Sequence, residues 1–286
     1  MESVKKRHHE IRSGSMAVAT GLSAFLAAGI LMMIHVQLAI VPLAGFVLVC
    51  LAAPFFPCIG FYAPVVCRGA AGGSAVALTF DDGPDPLTTP PLLALLKDRR
   101  VTAAFFVTGE NAAAHPGLIE DIVRQGHLVG NHSFGHSTRI FFKRVAAVVE
   151  DIEAAQEVLA GCGVRPQVYR PPVGIVSPRL APALLKTGMT LVNFSCRPMD
   201  RGNRRLGGIA ARVLKRVQEG DIVLLHDRKP PDPNRLPDWL KEIADIMDGI
   251  QARGMKVVPL SDLIGMPVMV RLDNRYNVAD TESRER

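Results

Sequence analysis

A long uncharged stretch dominates the pattern of apolar and polar positions at the start of the chain. Between Arg12 and Arg68 the sequence contains no Asp, Glu, Lys or Arg. A membrane-spanning helix needs about 20 apolar residues, so the stretch has room for two. We predict spans over Met16–Ile34 and Leu38–Phe56, joined by a tight turn at residues 35–37. A buried core hairpin is the alternative, but soluble cores rarely extend so far without a charge.

Basic residues precede the first predicted span, namely Lys5, Lys6, Arg7 and Arg12. By the positive-inside rule they keep the N-terminus in the cytoplasm. Two spans then return the chain to the cytoplasm, whereas one span with an interfacial segment exports everything that follows. The hairpin is our preferred interpretation. It predicts a protein of a bacterial-type inner membrane, in contact with membrane lipids, whose later residues lie on the cytoplasmic face.

The pattern changes after the apolar stretch, because short β-rich runs begin to alternate with amphipathic segments. Predicted strands cover residues 75–80, 103–107, 127–130, 167–169, 190–194, 221–225 and 256–258. Predicted helices cover residues 90–98, 116–125, 142–160, 178–187, 207–219 and 237–253. Such alternation is typical of a parallel α/β fold. About seven units without a glycine-rich nucleotide loop favour an irregular (β/α) barrel over an open sheet.

The predicted organisation therefore has four regions. They are a basic N-terminus at 1–15, a membrane segment at 16–67, a folded domain at 73–267 and a charged tail at 268–286.

Composition and charge narrow the function only slightly. The chain has 33 Lys and Arg against 27 Asp and Glu, a net charge of +6. That excess is compatible with nucleic acid, anionic lipid or phosphorylated substrates and selects none of them. Because the basic residues are not interleaved with aromatic ones, we predict no nucleic-acid partner. The five cysteines include no CxxC pair and indicate no disulfide framework.

Two adjacent carboxylates, Asp81 and Asp82, end the first predicted strand, and Gly83-Pro84 follows them. Barrels of this class place their sites at the carboxyl ends of strands. Neighbouring side chains can point in different directions, so one carboxylate could bind a metal ion while the other handles a proton. Asp-Asp-Gly is also a common turn, and from these residues alone both interpretations stay open.

A histidine pair, His132 and His136, follows the third predicted strand. Spacing of four residues places both rings on one side of a helical turn, as a single cation requires. The metalloprotease motif needs Glu beside the first histidine, where this chain has Ser133, so that class is excluded. A lone histidine is more often structural, but the spaced pair favours a metal site.

Two further segments carry candidate residues. Arg170 opens an Arg-Pro-Pro turn, which could hold its guanidinium against a carboxylate or leave it on the surface. His226 ends an apolar strand, a position typical of catalytic residues. A core histidine with satisfied hydrogen bonds is equally compatible with that position.

Taken in order, the motifs TFDDGP, HSxxH, RPPxG and LLHD strongly resemble the polysaccharide deacetylase family, carbohydrate esterases of family 4 that share the NodB homology domain. The resemblance covers roughly residues 75–265. It implies an irregular (β/α) barrel and metal-dependent hydrolysis of an N-acyl amino sugar, at an amide bond that is not a peptide bond.

The resemblance also implies roles for the residues of the first three motifs. Asp81 corresponds to the catalytic base, and Arg170 to the residue that positions it. Asp82, His132 and His136 correspond to the ligands of one divalent metal ion. Zinc is the expected ion for this ligand type, with cobalt or nickel as alternatives.

The remaining implied roles concern the acyl group and the leaving amine. The backbone N–H of Val173 corresponds to an oxyanion donor, although the family usually has Tyr there, and Pro172 lies beside it in the implied substrate pocket. His226 corresponds to the general acid. Asp200 corresponds to the residue that orients this acid, and Arg201 replaces the Trp that commonly follows.

Several features set this chain apart from enzymes that act on long glycans. It has one Trp and three Tyr, which leaves few platforms for stacking against sugars. Its weakest motif is unusually basic and contains Arg197, Arg201, Arg204 and Arg205. Guanidinium groups bind phosphate bidentately, and the domain directly follows a membrane segment. We therefore predict an N-acetyl or N-formyl amino sugar linked to a lipid phosphate, which these arginines would contact.

Alternatives remain at this stage. The alternative to phosphate binding is that the arginines form a solvated face or pair with anionic headgroups. The chain could be an exported deacetylase of surface polysaccharide or peptidoglycan. A non-catalytic, membrane-bound glycan binder is a third interpretation, which the retention of base, ligands and acid opposes.

Overall fold

The computed structural model describes residues 16–69 and 73–272, so the predicted basic N-terminus at 1–15 lies outside the described residues. Two apolar helices come first, α1 (Met16–Ile34) and α2 (Ile40–Ala52), joined by a 3-10 turn at Val36–Ala39. They form a hairpin in which a Cβ on Gly21 would lie 3.0 Å from the Phe46 ring.

Both helical segments are long and apolar enough to cross a membrane by length and composition. The candidate spans are Met16–Ile34 and Val36–Phe55, of which 11% and 6% are buried within the protein. Apolar side chains that face outward on both helices need a non-aqueous environment or a partner. The structure thus places helices where the sequence predicts them.

The remainder of the described chain contains nine strands. They are β1 (Ala75–Asp81), β2 (Ala104–Val107), β3 (Leu128–Asn131), β4 (Val164–Pro166), β5 (Val168–Tyr169), β6 (Thr190–Leu191), β7 (Ile222–His226), β8 (Lys256–Val257) and β9 (Met269–Arg271). Seven of them form one parallel sheet in the order β6-β5-β3-β2-β1-β7, with β8 also paired to β1.

This sheet curls until its two ends are joined by an irregular segment. Beyond β6, Cys196 forms a parallel bridge with Val223 of β7, and the N–H of Leu224 donates to the carbonyl of Cys196 at 2.9 Å. The predicted irregular (β/α) barrel of about seven strands is therefore confirmed.

Eight helices follow within the described part of the domain. They are α3 (Thr89–Asp98), α4 (Gly109–Ala114), α5 (Pro116–Arg124), α6 (Val145–Gly161), α7 (Leu180–Thr187), α8 (Ile209–Leu214), α9 (Leu236–Ala252) and α10 (Leu260–Ile264). The sequence pattern did not predict α4, α10 or the antiparallel pair formed by β4 and β9. Because β9 belongs to the fold, the tail predicted at 268–286 starts too early, and its residues from 273 onward lie outside the described residues.

Alternation along β1 divides its side chains between two sides of the sheet. Val76, Leu78 and Phe80 are fully buried in the main hydrophobic core, which also contains Trp239 of α9. Ala77 belongs to a separate core cluster. Since side chains on a strand alternate, Asp81 is on the same side as Ala77.

The segment between the apolar hairpin and the barrel is built into the sheet. Val66 pairs with Val192 in parallel, and the N–H of Val176 donates to the carbonyl of Pro54 at 3.3 Å. A disulfide joins Cys58 to Cys67, with their Cα atoms 5.6 Å apart. The sequence pattern, which indicated no disulfide framework, missed this bond because the pairing depends on the path of the segment against the barrel.

Candidate active site

The register of two neighbouring strands brings the first candidate residues together. In the parallel pairing of β1 with β7, Asp81 lies opposite His226. In the pairing of β1 with β2, Asp81 lies opposite Phe106. The carboxyl ends of the strands therefore meet at one end of the curled sheet, where barrels of this class place their sites.

Asp81 forms a buried ion pair with Arg170. Their Oδ1 and Nη1 atoms are 2.6 Å apart, with side-chain exposures of 6% and 0%. The guanidinium also donates to the Thr79 hydroxyl at 2.8 Å and to the carbonyls of residues 192 and 193 at 3.2 Å each. Its Cζ lies 3.8 Å from the centroid of the Phe106 ring. Arg170 is thus fixed on several sides, and it holds the carboxylate of Asp81 in one orientation.

Asp82, His132 and His136 form a group suited to a metal ion, since their ligand atoms all lie within 4.8 Å of one another. Nε2 of His136 is 3.0 Å from Oδ1 of Asp82, and Nε2 of His132 is 3.5 Å from the same oxygen. Nδ1 of His132 bonds the carbonyl of Arg170 at 2.8 Å, which leaves Nε2 toward the aspartate. One carboxylate and two imidazoles, one of them oriented by a backbone carbonyl, fit a divalent ion with open positions.

The electrostatics of this group favour a cation. Burial disfavours the charged carboxylate of Asp82, but His132 and His136 outweigh burial and lower the pKa of Asp82. Burial opposes a charge on His132 as well, yet the charges of Asp81 and Asp82 outweigh it and raise the pKa of His132. The carboxylates of Asp81 and Asp82 thus lie beside the same imidazole, that of His132. A divalent ion bound there can supply the positive charge in place of protons.

The histidines lie on a tight loop and not on the helical turn that their spacing predicts. Ser133 and His136 have φ values of 70° and 48°, in the left-handed region. The N–H of His136 donates to the Ser133 hydroxyl at 3.0 Å, and the N–H of Phe134 donates to the Asp151 carboxylate at 3.1 Å. Loop geometry therefore brings both rings to Asp82, and no local sequence pattern indicates that Asp151 on α6 supports this loop.

His226 is held by Asp200, as the resemblance implied. Nδ1 of His226 lies 2.9 Å from Oδ2 of Asp200, and their side chains are 16% and 3% exposed. Burial would lower the pKa of His226, but the hydrogen bond and charge of Asp200 outweigh burial and raise it. The same contact lowers the pKa of Asp200 despite its burial. Asn203, whose amide donates to the carbonyl of His226 at 3.1 Å, fixes the strand end.

The turn after Arg170 carries Pro172 and Val173. Val173 has φ 54° and ψ 11°, a left-handed conformation that is strained for a β-branched residue. Its side chain is 50% exposed, whereas Pro172 is buried. The Asn193 amide donates to the carbonyl of Gly174 at 3.1 Å and to that of Pro57 at 3.2 Å, which ties the turn to the segment after α2.

The predicted arginine cluster lies on an exposed segment beside the metal-ligand group. Arg201 is flanked by Asp200 and by Gly202, and a Cβ on Gly202 would lie 3.8 Å from Oδ2 of Asp82. The structure thus brings Arg201 to the rim of the site. Arg197, Arg204 and Arg205 are also exposed on this segment, and the backbone N–H of Arg205 donates to the carbonyl of Asp200 at 2.9 Å.

Two residues near the site were not assigned from the sequence. The buried Asp227 accepts hydrogen bonds from the hydroxyls of Thr88 at 2.7 Å and Thr89 at 2.6 Å. Burial raises its pKa to about 7. Arg228 places Nη1 4.0 Å from Oδ2 of Asp82. Their position directly after His226 is the sequence feature from which their place near the site could have been predicted.

Comparison with known proteins agrees with this geometry. Residues 68–192 match the family model for polysaccharide deacetylase. A chitooligosaccharide deacetylase of Bradyrhizobium sp. (strain ANU 289) is 32% identical over 201 residues, 68% of this chain and 92% of the relative. A peptidoglycan-N-acetylglucosamine deacetylase of Bacillus cereus is 30% identical over 197 residues, 66% of this chain and 87% of the relative.

Solved structures show the same similarity. The Bc1960 peptidoglycan N-acetylglucosamine deacetylase superposes with a TM-score of 0.65 at 27% identity, covering 71% of this chain and 94% of that one. A family 4 carbohydrate esterase from Streptomyces lividans, solved with acetate, superposes with a TM-score of 0.59 at 29% identity, covering 73% of this chain and 100% of that one. The resemblance inferred from the four motifs is confirmed: the chain belongs to the polysaccharide deacetylase family.

Proposed function

We propose that this chain is a membrane-anchored, metal-dependent hydrolase that removes an N-acetyl or N-formyl group from an amino sugar linked to a lipid phosphate. One observation carries the catalytic part: Asp81 with Arg170, the Asp82 group and His226 with Asp200 converge at one end of the sheet. Family membership supports amide hydrolysis, and the named relatives act on chitooligosaccharide or on peptidoglycan N-acetylglucosamine.

Asp82, His132 and His136 would hold one divalent ion, with zinc expected for this ligand type and cobalt or nickel as alternatives. Such an ion, when bound, acidifies a water molecule and polarises the acyl oxygen. The chain's own contribution at this point is orientation. The carbonyl of Arg170 fixes the His132 ring, and the tight loop fixes His136.

Asp81 and His226 divide the proton transfers. Arg170 holds the carboxylate of Asp81 in one orientation, in which it accepts the proton of the attacking water. Asp200 raises the pKa of His226, so that the imidazolium is available to protonate the departing amine. The Val173 N–H, beside Pro172, stabilises the oxyanion, a type of contact whose loss costs on the order of 10²- to 10³-fold in rate.

Anchoring and substrate choice rest on features outside the catalytic group. The exposed apolar surfaces of α1 and α2 support insertion into a bacterial-type inner membrane, in contact with its lipids. A hairpin leaves both of its ends on one side, and the basic residues before α1 favour the cytoplasmic side. Arg201 at the rim, with Arg197, Arg204 and Arg205, would contact the lipid phosphate.

The Cys58–Cys67 disulfide favours a second candidate function, an exported deacetylase of surface polysaccharide or peptidoglycan. Disulfides persist in oxidising compartments and are rare in the cytosol, and this bond lies between the hairpin and the barrel. A non-catalytic glycan binder is less well supported, because the chain retains the base, the metal-ligand group and the acid.

The catalytic proposal is tested with the full chain in detergent micelles, supplied with zinc. Acetate release is measured from N-acetylglucosamine oligomers and from N-acetylglucosamine linked to a prenyl phosphate. Loss of the general base in Asp81→Asn should lower kcat by roughly 10²- to 10⁴-fold, whereas the exposed control Asp98→Asn should be unaffected. Undiminished turnover by Asp81→Asn would contradict the assignment. Replacing Arg201 by Ala should raise KM for the prenyl-linked sugar alone.

The side of the membrane is tested separately. A C-terminal reporter that is active only in the cytoplasm should give a signal. Reporter activity on the far side, with Cys58 and Cys67 protected until reduction, would favour the exported deacetylase.

A further inference from the structure

A cavity of about 610 Å³ lies between the end of α2 and the rim of the barrel. Its lining comes from three parts of the chain: Cys50, Leu51, Pro54, Phe55 and Tyr62; Thr138, Arg139 and Phe142; and Ile175, Ser177, Pro178 and Arg179. Binding sites for small ligands have volumes of roughly 300–1,000 Å³. This cavity therefore has room for a small ligand or for part of a larger one.

The wall of the cavity formed by α2 and the residues after it is apolar and exposed. Leu51 is 65% exposed and Phe55 is 67% exposed, and Phe142 across the cavity is 83% exposed. Exposed apolar side chains that converge on a concavity indicate an apolar ligand. Because this wall continues one of the two candidate membrane spans, hydrocarbon chains are the apolar ligands closest to it under the proposed anchoring.

The opposite wall leads directly to the candidate active site. Thr138 lies two residues after His136, and Ile175 lies two residues after Val173. The bond from the N–H of Val176 to the carbonyl of Pro54 holds this wall against the end of α2. A ligand in the cavity is therefore bordered by the loop that carries His136 and by the turn that carries Val173.

The polar groups of the cavity favour an anionic ligand head. Arg139 and Arg179 supply two guanidinium groups, and Thr138 and Ser177 supply hydroxyls. None of the described lining residues is acidic. Guanidinium groups recognise phosphate by charge and by paired hydrogen bonds, and these two add to the rim arginines of the proposed function.

We propose that this cavity binds the first part of the hydrocarbon chain of a lipid-linked amino sugar, with the linking phosphate at Arg139 and Arg179. The inference rests on the proposed deacetylase function and adds the element that selects its substrate. A lipid chain held here brings the attached sugar to Asp81 and His226, whereas a free sugar gains nothing from the cavity.

The test compares two substrates of the full chain in detergent micelles. One is N-acetylglucosamine 1-phosphate esterified with a geranylgeranyl chain, and the other is the same sugar phosphate esterified with a methyl group. Leu51→Trp fills the cavity, and Leu48→Trp is the matched control, since Leu48 is also 65% exposed on α2 but lies outside the lining. Acetate release gives kcat/KM for each pair.

We expect kcat/KM of the unmodified chain and of Leu48→Trp to be at least about ten-fold higher for the geranylgeranyl substrate than for the methyl substrate. Burial of two methylene groups of the lipid chain is sufficient for a difference of this size. Leu51→Trp should lose most of this preference while it hydrolyses the methyl substrate at the unmodified rate. Equal preference in both tryptophan variants, or no preference in the unmodified chain, would overturn the proposal.

A binding measurement separates this inference from the proposed function. A photoreactive geranylgeranyl phosphate should label peptides that contain residues 50–55 or 175–179, and Leu51→Trp should abolish that labelling. Labelling spread evenly along α1 and α2 would mean bulk lipid contact and would refute the cavity as a specific site. Hydrolysis of neither substrate, with cavity labelling intact, would refute the deacetylase function alone.

Discussion

Replacement of Arg170 by Met tests whether the buried ion pair with Asp81 is a structural requirement of the site. The variant leaves a carboxylate that is only 6% exposed without its counter-charge, 2.6 Å from the vacated position. Removing one partner of a buried pair costs about 3–5 kcal/mol. We expect Arg170→Met to lower the free energy of unfolding by this amount.

The matched control is Arg99→Met. Arg99 pairs with Asp248 at 2.5 Å, but their side chains are 36% and 58% exposed. Exposed pairs contribute about 0–1 kcal/mol, so the control should unfold almost like the unmodified chain. A double variant, Arg170→Met with Asp81→Leu, removes both buried charges and should recover part of the loss.

Urea unfolding of the full chain in detergent provides the assay. Trp239 is the sole tryptophan of the sequence and is 1% exposed in the main core, so its fluorescence reports on unfolding of the barrel. If Arg170→Met and Arg99→Met were equally stable, or if the double variant were as unstable as the sum of its single changes, the argument from burial would be refuted.

Three further predictions concern the general acid His226, the left-handed residue Val173 and the metal-ligand group. Asp200 raises the pKa of His226, so the protonated acid is present at low pH and is lost as the pH rises through that pKa. Asp200→Asn should therefore move the alkaline limb of the kcat/KM profile to lower pH. An alkaline limb that does not move would refute the role of Asp200 in holding the proton on His226. Val173→Gly relieves a left-handed β-branched residue and should stabilise the fold by up to about 1 kcal/mol in urea unfolding, while the strand control Val270→Gly should destabilise it. Chelation should abolish acetate release, zinc should restore it, and His132→Ala should prevent zinc binding in calorimetry; full activity of the chelated protein would exclude a metal role.

Much of the fold could be predicted because the buried parallel strands read as short apolar runs between amphipathic helices. The short helix α4 escaped prediction, since Gly109–Ala114 has too few residues for a helical period and depends on the Thr108 side chain, which accepts from the N–H of Asn111. The β4–β9 pair joins segments far apart in sequence, and no local pattern signals such a contact.

The candidate site also contains residues that the sequence pattern places and residues that only tertiary contacts place. Asp81, Asp82 and His226 stand at predicted strand ends, so their convergence follows from a parallel sheet. The groups that support them are not local. Asp151 reaches the histidine loop from α6, and Asn193 links the Gly174 turn to Pro57. Such contacts depend on tertiary packing that motif spacing does not encode.

The way in which residues 53–69 enter the barrel has a consequence for the reach of the enzyme. Val66 accepts from the N–H of Asn193 at 2.8 Å and donates to the carbonyl of Leu191 at 2.9 Å, so the segment after the hairpin is an extra edge of the sheet and not a free tether. With the hairpin in a bilayer, as proposed, the catalytic residues are held at a fixed height above its surface. A sugar near the lipid headgroups is within this height, whereas one many units along an extended glycan must bend back to it.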